Sequence, residues 1–388
     1  MLSKIIYRSY GDRFPSDENI QIVEVKSKNG LDDFIKLPFK LYSKDPLFVP
    51  PLFKDMYNRF SVKNPFFLYA KARYFLAKKG RKTFGRVTAI VNSRHNEFHR
   101  DRVGFFGFFE SINNFAVARS LLDKVSEVLR NEGMDTIRGP MNFSTNEECG
   151  FLLEGFNDPP VLMTPYNPPY YNDFMQKYGM KKIKDLYAYI CEIPMELPEK
   201  VLRVAEIAEK RGIRVRPIDM RRFELEMRVF KDIYNSAWQK NWGFIPITIE
   251  ETNYLAKRLK PIVLSGLILI AYKDEEPVGF MGVLPDINFV LKKMRGRLNP
   301  FTILKAIYYS KKIRCLRLLL LGIKSEHRNK GVDALLFREG FKNVKDKYKQ
   351  FHKVEFSWIL EDNIPVQRLV EMIGARLYKI YRVYEKNL

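Results

Sequence analysis

Two pairs of segments repeat one hydrophobic pattern. Residues 73–92 (RYFLAKKGRKTFGRVTAIVN) read as an apolar strand, a polar turn and a second strand, and residues 267–286 (LILIAYKDEEPVGFMGVLPD) read the same way. Gly85 and Gly279, each opening its second strand, lie 194 residues apart. Residues 173–189 (DFMQKYGMKKIKDLYAY) and 368–384 (RLVEMIGARLYKIYRVY) each give a short helix, a glycine stop and a tyrosine-rich strand, and Gly179 and Gly374 lie 195 apart. Independent landmarks sharing a half-chain offset predict a duplicated domain, not a solenoid. The division is expected within 191–200, where two prolines break a strand before a new helical pattern, giving modules 1–195 and 196–388.

Within each half strands alternate with helices. VGFFGFFES (103–111) predicts a strand, followed by a helix from Asn114 that puts Ala118, Leu121, Leu122, Val125, Val128 and Leu129 on one face. Asn114 suits the N-cap and Gly133 the C-terminal stop. In the second half IRCLRLLLLGIK (313–324) is the matching strand, and Phe337, Phe341, Val344 and Tyr348 mark the next helix. KVEFSWIL (353–360) alternates as a half-buried strand, and a helix follows with Asn363 as N-cap, Pro365 in its first turn and Gly374 at its end. PIVLSGLILIAY (261–272) is too short to cross a bilayer and reads as a buried strand. The fold class expected is α/β, a mixed α+β sheet built twice.

Composition narrows the partners. Of 388 residues 46% are hydrophobic, enough for large cores, and the formal net charge of +22 favours an anionic partner. The basic residues are spread along the chain and form no tail, which weakens a nucleic-acid arm, and no nucleic-acid motif is present; charge alone keeps that partner open. Cys149, Cys191 and Cys315 are odd in number and far apart, so neither a disulfide framework nor a metal cluster is expected, and a reducing cytoplasm fits. The first twenty residues lack the apolar core of a signal peptide.

One junction carries a ligand recipe. In GIKSEHRNKGVDALL (322–336) a basic loop with a single glycine runs from an apolar strand into an apolar helix. Unpaired backbone N–H groups and the helix dipole make such a junction attractive to anions. Gly331 allows close approach, Arg328 and Lys330 add charge, and His327 could join them. Neither GxxxxGK[ST] nor GxGxxG occurs here, which argues against nucleotide hydrolysis and dinucleotide binding. Set on a surface loop, Arg328 and Gly331 are expected to tolerate substitution without loss of folding.

The second half resembles the GNAT superfamily of acyl-CoA N-acyltransferases. That family's loop is arginine or glutamine, two residues, glycine, one residue, then glycine or alanine; RNKGVD keeps Arg328 and Gly331 and has Asp333 at the last position. NIPVQRLVEMIGA keeps Asn363, Glu371 and Gly374 of a later motif but has Val370 where the family often has a tyrosine acid. YNSAWQKNWGFIP (234–246) resembles bacterial GNAT-like proteins with two modules. The first half's junction, FFESINNFAVARSLL (108–122), has no glycine and no basic residue before Arg119 inside its helix, so that module is expected to have lost cofactor binding. The irregular segment 138–174 could shape a substrate cleft or pack an interior seam.

The resemblance implies acetyl-CoA or another acyl-CoA as co-substrate, no metal, a small-molecule or peptide amine as acceptor, and direct attack. It assigns the pyrophosphate to Arg328, Asn329, Lys330, Gly331, Val332 and Asp333, the pantetheine arm to the backbone of Ile323, and a cofactor contact to Asn363. Glu326 or Glu355 is the candidate base, and Tyr378 or Tyr381 the replacement acid. Trp238, Asn241 and Trp242 are candidates for the acceptor site. Two other readings stay open: a catalytically inactive binding protein on a GNAT scaffold, and a Fem-like transferase using aminoacyl-tRNA.

Overall fold

The computed structural model describes residues 20–194 and 196–388. The signal-peptide reading falls on residues 1–19, outside the described residues, as does Met195 at the expected division. The elements of the first half are β1 (Gln21–Glu24), α1 (Lys28–Leu41), α2 (Phe53–Arg59), β2 (Ala70–Lys79), β3 (Lys82–Asn92), α3 (Ser93–His99), β4 (Val103–Ser111), α4 (Phe115–Asn131), β5 (Thr136–Gly139), β6 (Phe151–Glu154) and α5 (Tyr170–Lys177). The first half ends with β7 (Lys181–Glu192), and the second half carries α6 (Glu199–Lys210), β8 (Ile213–Pro217), α7 (Phe223–Ala237), α8 (Ile249–Leu259), β9 (Ile268–Lys273) and β10 (Glu276–Pro285). It continues with α9 (Asn288–Met294), α10 (Pro300–Ser310), β11 (Cys315–Ile323), α11 (Val332–Lys347), β12 (Lys353–Leu360), α12 (Ile364–Met372) and β13 (Arg376–Asn387).

The chain forms two compact units. One holds the residues to Asp185 with Leu291–Ile303 and Lys379–Leu388; the other holds Leu186–Val290 and Leu304–Tyr378. In the first, strands run in the order β1-β2-β3-β4-β5-β13, with β6 also on β13. Its pairs are antiparallel except β4 with β5. In the second the order is β8-β9-β10-β11-β12-β7, again with one parallel pair, β11 with β12. The same pairing twice is the duplication foreseen from the hairpins.

The crossover helices explain the repeated glycines. The face expected of α4 is wholly buried, and Asn114 caps it by accepting from the Ala116 N–H at 2.8 Å. Five of those side chains are Leu or Val, contributing roughly 10 kcal/mol of apolar burial. A Cβ at Gly85 would lie 2.7 Å from the Leu121 side chain, and one at Gly279 would lie 2.9 Å from Val332. Both glycines are flat places where the start of the crossover helix sits on its hairpin.

The last strand of each half completes the unit built by the other half. β7 pairs with β12, Cys191 opposite Val354 and Tyr189 opposite Phe356. β13 pairs with β5 and β6, Tyr384 opposite Gly139 and Tyr381 opposite Leu152. Tyr171, from the irregular segment 138–174, is fully buried in the first unit's core and hydrogen-bonds Glu110 at 2.9 Å. The stretch 261–272 is only partly strand: two short 3-10 turns precede β9.

Candidate functional site

In the second unit β11 and β12 pair from Cys315 to Leu318 against Lys353 to Phe356. The ladder stops there although β11 runs to Ile323 and β12 to Leu360. β11 is bulged at Leu319, because Leu318 pairs with Val283 and Leu320 with Gly282. A wedge between two parting parallel strands therefore opens toward the loop that follows β11.

That loop is a 3-10 turn, Ser325–His327, then Arg328 to Lys330, then Gly331 as N-cap of α11. Asn329 and Gly331 are left-handed, at φ 57° and 81°. No side chain caps α11, in contrast to Asn114 on α4. This uncapped N-terminus, with the exposed Lys330 beside it, is the anion-attracting end that the first unit lacks. Two neighbours qualify it. Asp333 accepts from the Ala334 N–H at 2.9 Å, placing a carboxylate at the helix end. The Arg328 guanidinium donates to the Ala237 carbonyl and, at 3.4 Å, to that of Ile323, tying the loop to α7.

Gly331 is not the tolerant surface position expected. It is buried against α6, where an added Cβ would meet the Val204 carbonyl at 2.8 Å and the Ala208 Cβ at 3.2 Å. The glycine is needed both for its φ and for the closeness of α6.

The candidate bases differ in kind. Glu326 is exposed; a bond to its own backbone N–H, then one from Ser325, hold its pKa below the usual carboxylate value. A depressed pKa on a wet turn makes it a poor base. Glu355 is fully buried and accepts from the Tyr378 hydroxyl and, at 2.5 Å, from Ser357 Oγ. Arg317, 1% exposed, is its partner across the parallel ladder, with Nε 3.9 Å from the carboxylate and 2.9 Å from Ser357 Oγ. The guanidinium also lies over the Trp358 ring at 5.4 Å. Arg317, Ser357 and Glu355 thus form one buried polar cluster where β11 and β12 part, joined by the half-buried Tyr378.

The other candidates spread out. Tyr381 belongs to the first unit, fully buried on β13 beside Leu152 of β6. Asn363 occupies the N-cap of α12, but its side chain makes no capping bond. Val370 is buried, and the neighbouring Glu371 accepts from the Tyr189 hydroxyl at 3.2 Å. Burial, then Glu371, push the Tyr189 phenol up to about 12. Trp238 stacks on Tyr234 at 4.8 Å and packs on Gly322, one residue before Ile323, which puts it beside the wedge. Asn241 donates its N–H to the Trp238 carbonyl at 2.8 Å, and Trp242 is half-buried on the same turn. Near the loop, Glu276, Glu326 and His327 bring metal-ligand atoms within 4.8 Å of one another, but Lys324 already pairs with Glu276 at 2.6 Å.

Two apolar hollows flank the sheet of this unit. One lies under α7 and α8 and reaches Leu319 and Leu320 at the bulge. The other lies under α11 against Leu316, Leu318, Val354 and Phe356. Sequence reasoning singled out Glu355 but missed Arg317 and Ser357. The available signal was a lone arginine in one apolar strand facing a lone glutamate in the next.

The parallel splay, the bulge and the basic loop before the crossover helix, set in twice-built sheets, define a tandem GNAT fold. Solved structures agree: the tandem GNAT protein from the clavulanic acid biosynthesis pathway aligns with a TM-score of 0.56 at 13% identity, over 95% of this chain and 98% of that one. A probable N-acyltransferase from Enterococcus faecalis V583 aligns at 0.52 and 10% identity, over 95% and 73%. No family model matches the chain. It is 32% identical to Protein YghO of Escherichia coli (strain K12) over 366 residues, 93% of this chain and 94% of that protein. It is also 32% identical to the bacterial ceramide synthase of Caulobacter vibrioides (strain NA1000 / CB15N) over 379 residues, 96% and 99%. The chain belongs to the family of these two proteins, and its fold is that of tandem GNAT proteins.

Proposed function

We propose that the protein transfers an acyl group from an acyl-CoA thioester to the amine of a long-chain amino alcohol. The supporting observation is that the uncapped basic end of α11 and the buried Glu355 cluster flank the same parting of β11 and β12. Lys330 and the first turn of α11 would hold the pyrophosphate, and the free edge of β11 near Ile323 the pantetheine arm. Acyl-CoA supplies an activated carbonyl carbon. The amine nitrogen bonds to that carbon, the carbon–sulfur bond breaks, and the proton lost from nitrogen ends on the thiolate sulfur. Tyr378 and Glu355 are the groups proposed to carry that proton.

The acceptor class rests on the kinship with a ceramide synthase, ceramide being an N-acylated long-chain amino alcohol, and on the apolar hollows. The hollow reaching Leu319 and Leu320 is lined almost wholly by apolar side chains, the kind of surface a hydrocarbon chain would need. The three cysteines are free thiols, in keeping with the cytoplasmic setting we propose.

Incubation with palmitoyl-CoA and sphinganine, glucosamine or a peptide amine tests this reading, following thiol release and amide formation by mass spectrometry. Amide on sphinganine alone is expected; thiol release without preference for the long-chain amine would overturn the acceptor class. A second reading, acyl-CoA binding without transfer, is favoured by the buried Val370 and by the Asp333 carboxylate at the helix end. It predicts binding and no amide with any amine.

A further inference from the structure

The connection between β10 and β11 carries a surface that the proposed chemistry does not use. α10, PFTILKAIYYS, buries none of its residues. Phe301 is 77% exposed, Leu304 66%, and Ile307 and Tyr308 57% each. An amphipathic helix of a water-soluble fold turns such residues inward, as α4 does. Here they stand in solvent as a contiguous apolar face, which marks an interaction surface.

Charge identifies the partner. From Asp286 to Arg314 there are eight lysines and arginines and a single acid, Asp286. Lys312 lies 4.2 Å from the Tyr308 ring centre and donates to its hydroxyl at 2.7 Å, so tyrosine and ammonium mark one level at the end of the helix. Exposed aliphatic and aromatic side chains beside lysines are the composition of a helix that lies in the headgroup region of an anionic bilayer. A second copy fits worse, because it would bring the same basic residues face to face. The helix is also far too short to span, and among the described residues no helix is long and apolar enough to cross a membrane.

We propose that α10 is an interfacial helix that docks the protein on an anionic phospholipid surface, its Phe301, Leu304 and Ile307 side chains entering the headgroup boundary and the flanking lysines meeting the phosphates. This docking stands independently of the acyl-transfer chemistry.

Flotation of the full chain with phosphatidylcholine vesicles, with and without phosphatidylglycerol, is the test. Binding should require phosphatidylglycerol, weaken in high salt, and fall roughly tenfold or more in the triple variant Phe301→Ser, Leu304→Ser, Ile307→Ser. Thermal melting should be unchanged in that variant, because the side chains are exposed. Failure of the wild type to float with anionic vesicles, or undiminished flotation of the triple variant, would overturn the proposal. So would a wild-type dimer that the triple variant converts to monomer while neither binds vesicles; the face would then join two copies.

Discussion

Replacing Glu355 by glutamine removes one charge of a pair that is wholly inside the protein. Arg317 is 1% exposed and Glu355 0%, so the guanidinium would lose its buried counter-charge while its bonds to Ser357 and its place over the Trp358 ring remain. Breaking a buried pair by removing one member costs roughly 3–5 kcal/mol. Glutamine retains an acceptor for Tyr378 and Ser357, so the lower end, about 3 kcal/mol, is expected. That is a large part of a typical stability of about 5–15 kcal/mol, but it leaves the protein folded at room temperature. Urea denaturation should show this loss with an unchanged m-value. If Glu355 also moves the proton, turnover at saturating acyl-CoA should fall about 100-fold or more while the acyl-CoA KM stays put. Tyr378→Phe should lower turnover without the stability loss of the charge variant. A stability change under about 1 kcal/mol would refute the buried pair. Full turnover of the folded variant would reduce Glu355 to a positioning residue for Arg317.

Gly331→Ala should cost roughly 2–3 kcal/mol, from the φ of 81° and the 2.8 Å approach to the Val204 carbonyl, and an unchanged melting curve would contradict the packing of α6 on the loop. Asp333→Ala should raise acyl-CoA affinity about 5-fold while costing α11 about 0.3–1 kcal/mol, because the carboxylate competes with a ligand anion for the helix end; weaker binding on calorimetric titration would show that Asp333 assists the ligand. Glu110 is buried against Tyr42 at 2.5 Å and Tyr171 at 2.9 Å, and burial, opposed by Arg86, raises its pKa. Its stabilising share is therefore complete below about pH 4.5 and is lost as pH rises through the folded pKa. Urea midpoints should fall between acid and neutral pH more steeply in the wild type than in Glu110→Gln, and parallel profiles would refute this.

The hairpins and the crossover helices were legible because their signals are local. Gly85 and Gly279 mark equivalent places in two sheets, and the Asn114 cap follows from one residue and its neighbours. The exchange of β7 and β13 was not legible, since both are twelve-residue strands of similar composition and nothing local says which sheet each completes. The loop was found by its residues, but its surroundings were not: the contact of Gly331 with α6 and of Arg328 with the end of α7 join segments about a hundred residues apart. Among the candidate acids, Tyr378 and Tyr381 sit three residues apart on β13 yet fall in different units, since the division runs between Tyr378 and Lys379, which no local pattern marks. Arg317 was readable in principle, as a charge within an apolar strand calls for a buried counter-charge.

Calorimetric titration with palmitoyl-CoA of the wild type and of Lys330→Glu tests the cofactor site most directly. Lys330 is exposed, so charge reversal should leave the melting temperature unchanged. A dissociation constant on the order of micromolar in the wild type, weakened about 10-fold or more in the variant, is the expected result. No binding by the wild type, or equal binding by both proteins, would contradict the assignment of acyl-CoA to the end of α11.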